Sequence, residues 1–317
     1  METDKLITVV VPVRNRADIV LRTLDSLATQ THSHFHIIVV DNGSTDSTVA
    51  KVESWAKNRT GLEPTIEILH CSEVGAPAAR NAGLDEVATP WVMFFDSDDE
   101  MRPQHLANIV KEIKAFPDCE LLYFDATMMD EDGWCHPKRV EDKNVMRGHL
   151  FHCSLSTQRM AIRTELVRKV GGWQKECAIW DDFELGVRLL LATTEVRKLH
   201  GDPQVVIHPH SADSVTGICY RDRLGLHEKS LNTIDSHFNS PEHSLPHIWI
   251  ECRRMILAAM YAREGEKESA SRLRGEVLER HNGKTAMKLR AIYAAQRLTG
   301  HGGSALSIRL FNSPSMR

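Results

Sequence analysis

The apolar run Trp91–Phe95 leads directly into Asp96, Ser97, Asp98, Asp99 and Glu100. Carboxylates crowded at one strand tip repel one another unless a cation joins them. Mg²⁺ or Mn²⁺, held by one or two carboxylates and completed by substrate phosphates, supplies that charge. A metal so placed neutralises a diphosphate and makes it a workable leaving group. The pattern therefore points to a metal-assisted nucleotide-diphosphate site. A capped, acid-rich helix start before Pro103 is the competing structural reading. Gly-rich phosphate loops are missing: residues 12–18 read PVRNRAD, with no G-x-G-x-x-G, and no G-x-x-x-x-G-K-S/T follows anywhere.

The elements that must present these acids alternate regularly. LITVVVPV (6–13), HIIVVD (36–41), TIEILH (65–70), WVMFF (91–95) and ELLYFDA (120–126) have strand character. Between them, residues 17–29, the segment from Ser44 to Lys57, 78–87 and 103–116 have helical spacing or cap-type starts. Such strand–helix units predict a mostly parallel sheet covered by helices, with ligands at the strands' carboxyl ends. Asp41 and Asp96–Asp99 are then expected on one rim. Residues 130–162 are polar and strand-poor.

Several segments, in order, resemble the family-2 glycosyltransferases. They are Pro12-Val13-Arg14-Asn15, Ser26-Leu27, Gln30-Thr31, Val40 to Asp46, GAPAARNAGLDEV (75–87), FFDSDDEMRP, RTELVRKVGGW (163–173), WDDFELGVRLL (180–190) and HSADSVT (210–216). The resemblance implies a GT-A, Rossmann-like α/β fold and an inverting enzyme that moves a sugar from a nucleotide-diphosphate donor to a hydroxyl acceptor. The donor is expected to be a UDP-sugar, and the enzyme a hexosyl- or N-acetylhexosaminyl-transferase. By resemblance, Pro12, Asn15, Asp41, Arg80, Asp96 and Ser97 line the nucleotide-sugar site, with Asp41 accepting from the base. Asp98, Asp96 and His210 hold Mn²⁺ or Mg²⁺. The family's Glu-Asp pair maps onto Asp181-Asp182; the base is expected at Asp182, with Asp181 the other candidate. A carboxylate accepting from an imide N–H fits uracil, and single displacement needs one base apart from the metal acids. The structural alternatives are a turn at Asp41, a salt-bridged Arg80 and helix-capping acids at 181–182.

Domains are expected at 1–220 (nucleotide half 1–126, acceptor half 127–220) and at 221–317, a helical C-terminal region of three or four helices with a basic, loosely held tail. His32, His34 and His36 read as surface residues, and Trp134 and Trp180 as core packing or sugar platforms. The seven cysteines form no Cys-x-x-Cys pair, as in a reducing compartment. Apolar and charged fractions of 42% and 26% and no membrane-length apolar run suggest a soluble, cytoplasmic chain. The net charge of −4 argues neither for nor against nucleic acid, and no nucleic-acid partner is expected. From 281 onward there is no Asp or Glu, but six Lys or Arg. Peripheral contact of this basic C-terminus with a membrane holding lipid-linked saccharide acceptors is therefore an open reading. The alternatives in function are a non-catalytic nucleotide-sugar-binding or interaction protein on the same fold, and a metal-dependent phosphohydrolase using Asp96 and Asp98.

Overall fold

In the computed structural model, residues 5–209, 223–238 and 244–311 are described. They form two compact units, neither a single stretch of chain. The first comprises the described residues through Asp142, Leu155–Lys175, and the stretch from Arg188 to residue 209. The second comprises Lys143–Ser154, Glu176–Val187 and the described residues beyond 222. The compositional break expected near residue 220 lies outside the described residues.

The first unit begins β1 (Ile7–Val13), α1 (Val20–Ala28), β2 (His36–Asp41), α2 (Thr48–Lys57), β3 (Thr65–His70), α3 (Ala76–Asp85) and β4 (Trp91–Phe94). It continues with β5 (Glu100–Met101), α4 (His105–Ala115), β6 (Leu121–Phe124), β7 (Ala126–Met129) and β8 (Cys135–Lys138). After α5 (Val145–His152), which belongs to the second unit, come β9 (Met160–Arg163) and α6 (Thr164–Lys169). Helix α7 (Asp181–Ala192) starts in the second unit and ends in the first, before β10 (Val196–Leu199) and β11 (Val205–Ile207).

Seven strands form one sheet in the order β10-β6-β9-β4-β1-β2-β3, parallel except for β9. The apolar runs of β1, β2 and β4 are buried almost throughout, as strands covered on both faces must be. Pro12 is tolerated in β1 because of register. Val10 accepts from Phe95 on the β4 side, and Pro12, two residues on, faces the same way beyond the end of β4. Strand β3 is an edge, and its exposed–half-buried alternation suits that place. Gly83 marks the close approach of α3 to this sheet: a Cβ there would lie 2.4 Å from Val10 Cγ1.

The predicted strand 120–126 divides at Asp125. Its first part, β6, belongs to the large sheet, while β7 joins a four-stranded sheet ordered β5-β11-β7-β8. Asp125 holds the break by accepting from Val140 N at 2.8 Å and pairing with Lys198 at 3.2 Å. Residues 130–162, expected to be strand-poor, supply two short strands and one helix.

The second unit contains α5, the start of α7, α8 (Leu224–Ser236), α9 (Ser244–Arg263), α10 (Lys267–Glu279), α11 (Gly283–Thr299) and α12 (Gly303–Phe311). The expectation of a loose tail after 300 is corrected by α12, which buries Gly303, Ser307 and Phe311. A Gly-Gly pair preceding a short amphipathic run obscured that helix. Five helices follow residue 222 among the described residues, against the three or four expected.

Candidate functional site

Strands β2 and β4 flank β1 in parallel, with Val13 opposite Asp41 and Val10 opposite Phe94. Asp41 and Asp96 therefore emerge at the same carboxyl-end rim, their backbones two strand spacings or about 10 Å apart. The switch in strand order lies between them, at β1, from which β2 and β3 run to one side and β4 to the other. The predicted common rim is present.

On one side of the rim, Asp41 is buried and accepts from Ser44 N at 3.2 Å, with the exposed His70 ring 3.6 Å away. Asn42 fixes the adjoining loop by donating to Glu73 O at 2.6 Å and accepting from Gly75 N at 2.8 Å. Asn15, in left-handed conformation with φ of 51°, accepts from Thr45 N at 2.8 Å. Asn15 thus ties the loop after β1 to the loop after β2, a positional task its place in the motif did not disclose.

At the other side, burial alternates through the acid run. Ser97 and Asp99 are buried, whereas Asp96, Asp98 and Glu100 are partly open. Asp99 accepts from Gln158 Nε2 at 2.5 Å and from His208 N at 2.9 Å. Burial first, then the charges of Asp96 and Asp98, pushes its carboxyl well above the ordinary carboxylate range. Asp99 is the inward anchor of the turn, and the open acids are the candidates for chemistry.

Helix α1 and its C-terminal end hold the backbone of this turn. Arg22 donates to Asp98 O at 2.5 Å, Thr23 to Asp99 O at 2.8 Å, and Gln30 to Met101 O and Arg102 O at 3.1 and 2.8 Å. Gln30 Oε1 also accepts from Leu106 N at 3.1 Å, at the start of α4. Arg22 further pairs with Glu100 at 3.2 Å.

Arg80 is buried on α3, its guanidinium 2.9 Å from Asp96 Oδ1 and 4.4 Å from the Trp173 ring centroid. Its neighbour Asn81 exchanges two hydrogen bonds with the Trp173 backbone, both 2.8 Å. Gly172 makes that exchange possible: its φ is +67°, and a Cβ there would lie 2.6 Å from Asn81 Oδ1. Three segments distant in sequence, 75–87, 96–100 and 163–173, meet here. Asp99, expected on the rim with Asp96 and Asp98, is turned inward, and Gln158, Gln30, Asn81 and Trp173 were not among the site residues read from the sequence. For Gln30, Asn81 and Trp173 a signal existed, since each lies in a quoted motif. Gln158 had none.

As donors for Mg²⁺ or Mn²⁺, Asp96 and Asp98 offer hard carboxylate oxygens at the rim. Among the described residues no group of three His, Cys, Asp or Glu side chains is arranged to hold an ion. One or two protein carboxylates, completed by substrate phosphates, is the arrangement these residues fit. His210 lies outside the described residues.

Asp181 and Asp182 open α7 in the second unit. Asp181 Oδ1 accepts from Asp182 N at 3.0 Å, and Asp182 Oδ1 from Phe183 N at 2.7 Å. Both stay partly exposed. The turn before them is set by Trp180, with φ of 59° and edge contacts to Phe183 and His227. Trp180 is thus a packing residue, whereas Trp134 is 71% exposed at the β7–β8 turn.

The family model for glycosyl transferase family 2 matches residues 8–166, half of the chain. The chain belongs to glycosyl transferase family 2. Among curated proteins, this transferase-family chain is 34% identical over 103 residues to the uncharacterized glycosyltransferase YibD of Escherichia coli, covering 32% of this chain and 29% of YibD. The chain spans between 13% and 62% of the length of eight curated relatives it matches. Its fold resembles S. aureus TarS 1-349 in complex with UDP-GlcNAc, with a TM-score of 0.72, 18% identity, and coverage of 96% and 89% of the two chains. It also resembles the mannosyltransferase PcManGT of Pyrobaculum calidifontis in complex with GDP-Man and Mn²⁺, with a TM-score of 0.54, 20% identity, and coverage of 98% and 87%. The fold is GT-A: a mixed, parallel-dominated α/β sheet with a helical C-terminal region.

Proposed function

We propose that this family member is an inverting glycosyltransferase that takes a nucleotide-diphosphate sugar, with UDP-sugar favoured, and glycosylates a hydroxyl of a saccharide or lipid-linked saccharide. The observation that carries the reading is the shared rim, where buried Asp41 and the Arg80-braced Asp96 stand either side of β1. The spacing of about two strands suits a base at Asp41 and a diphosphate at Asp96 and Asp98. Pro12, Asn15 and Ser97 shape the loops between these points. The UDP-GlcNAc of TarS and the GDP-Man and Mn²⁺ of PcManGT support a nucleotide-sugar donor with a divalent ion. Both hexosyl and N-acetylhexosaminyl donors suit it.

Asp98, with Asp96, would hold Mn²⁺ or Mg²⁺, and His210 is a further candidate ligand. Such an ion supplies charge neutralisation of the departing diphosphate. Arg80 holds the Asp96 carboxylate in place, and Arg22 and Gln30 hold the turn that carries Asp98. In the reaction the acceptor oxygen bonds to the anomeric carbon as the bond from that carbon to the diphosphate oxygen breaks. The acceptor proton passes to Asp182, with Asp181 beside it, and the nucleotide diphosphate leaves with the bonding pair. This role rests on the position of Asp182 in the family's acidic helix start.

Calorimetric titration with UDP, GDP, dTDP and CDP, each with and without Mn²⁺, tests the reading. One nucleotide is expected to bind in an Mn²⁺-dependent manner, and Asp98→Asn is expected to remove that dependence. Absence of binding by all four would favour the non-catalytic interaction role.

A further inference from the structure

We propose that the outward face of α11 is a docking surface for an anionic phospholipid bilayer. The helix is apolar on two sides. Ala286, Leu289, Ile292 and Tyr293 are buried within the helical unit. On the opposite side Met287 is 67% exposed and Leu298 81% exposed, two of the most open large apolar side chains among the described residues. Ala291 and Ala294 are exposed with them. At 3.6 residues per turn these four residues form a ridge roughly 60° wide, and Met287 to Leu298 spans about 16 Å.

Cations flank the ridge. The same helical spacing places Arg290 and Arg297 along one side and Lys284 along the other. All three are exposed, and no ion pair engages them among the described residues. No Asp or Glu occurs between residue 281 and the C-terminus, so no acid of this segment competes for them.

An apolar ridge bordered by basic side chains suits a helix lying in the plane of a lipid headgroup layer. The ridge enters the acyl boundary, while the long Lys and Arg side chains reach back to the phosphates. Charge complementarity selects an anionic bilayer, and each cation is expected to contribute about fivefold in affinity. A nucleic-acid backbone or an acidic protein surface would use the cations but leave the ridge without a role. Among the described residues no helix is long and apolar enough to cross a membrane, so the contact is peripheral.

The test is co-sedimentation of the full chain with phosphatidylcholine vesicles, with and without phosphatidylglycerol, in low salt and without nucleotide. Binding is expected only when phosphatidylglycerol is present. Arg290→Glu with Arg297→Glu should weaken it by about 25-fold or more, and Met287→Ser with Leu298→Ser by about tenfold. All four positions are exposed, and thermal melts will show whether the variants remain folded. The inference is overturned if phosphatidylglycerol vesicles do not bind, or if the charge-reversed chain binds as well as the parent. It is also overturned if the serine variant binds undiminished, the outcome of plain attraction to any polyanion. Failure would leave the transferase reading standing, because the assay needs neither donor nor acceptor.

Discussion

Arg80 does two jobs with one planar group, pairing with Asp96 and stacking on Trp173. Both the functional and the salt-bridge readings of this residue thereby become compatible, since the pairing fixes the position of Asp96, a candidate ligand. Asp99 shows a different division of labour, because it looks like its neighbours in sequence yet is the acid turned inward. The run is a turn closed by Asp99 N donating to Asp96 O at 3.2 Å, and four similar acids in sequence give no clue to which of them the turn carries inward. Another buried group yields a direct prediction. His105 is buried, its ring nitrogens have no hydrogen-bond partner, and burial lowers its pKa from 6.5 to about 3. Between those values the unfolded chain binds more protons, so stability rises with pH up to about 6.5 and is lost as pH falls. The slope from this one group approaches about 1.4 kcal/mol per pH unit within the window. His105→Leu should flatten the decline of melting temperature between pH 6.5 and 4; an unchanged acid limb would mean that another group governs it.

Elements position the candidate site's residues by holding the backbone that carries them. Helix α1 and the residues just after it present Arg22, Thr23 and Gln30 to the turn after β4, and Gln30 alone bonds Met101 O, Arg102 O and Leu106 N. Gln30→Ala would leave these groups without their side-chain partner, at a cost of about 1–3 kcal/mol. The same change should weaken Mn²⁺-dependent nucleotide binding without altering the metal ligands. Chemical denaturation and calorimetry together check this, and a stability loss with full nucleotide affinity would confine Gln30 to structure. The major strands and helices of the first 125 residues were legible because buried parallel strands and amphipathic helices have different periods. Strands β5, β7 and β8 were not, since each has only two to four residues and its sheet depends on distant partners. The same limit applies to the site. Proximity of Arg80, Asp96 and Trp173 followed from motif order only after the fold joined them, and Gln158 reaches Asp99 across 59 positions with no local pattern.

At the scale of the whole molecule, the two compact units cut across the simple division of chain into a sheet half and a helical tail. The rim residues Asp41, Arg80, Asp96 and Asp98 belong to the first unit, whereas Asp181 and Asp182 belong to the second through the start of α7. Unit 2 is braced internally at that point: His149 Nε2 lies 2.8 Å from Phe183 O, and buried Glu184 pairs with His237 at 2.8 Å. If the proposed roles hold, donor binding and proton removal fall to residues of different packing units and should separate by mutation. Asp182→Asn retains the acceptor for Phe183 N and nearly the same volume, so α7 should keep its start. The variant is expected to bind nucleotide with Mn²⁺ as the parent does, and to lose about 10²- to 10⁴-fold in transfer. Calorimetry reads the first quantity, and nucleotide release from a panel of UDP-sugars with saccharide acceptors reads the second. Equal loss of both would make Asp182 part of the donor pocket. Normal transfer would move the base to Asp181 or elsewhere.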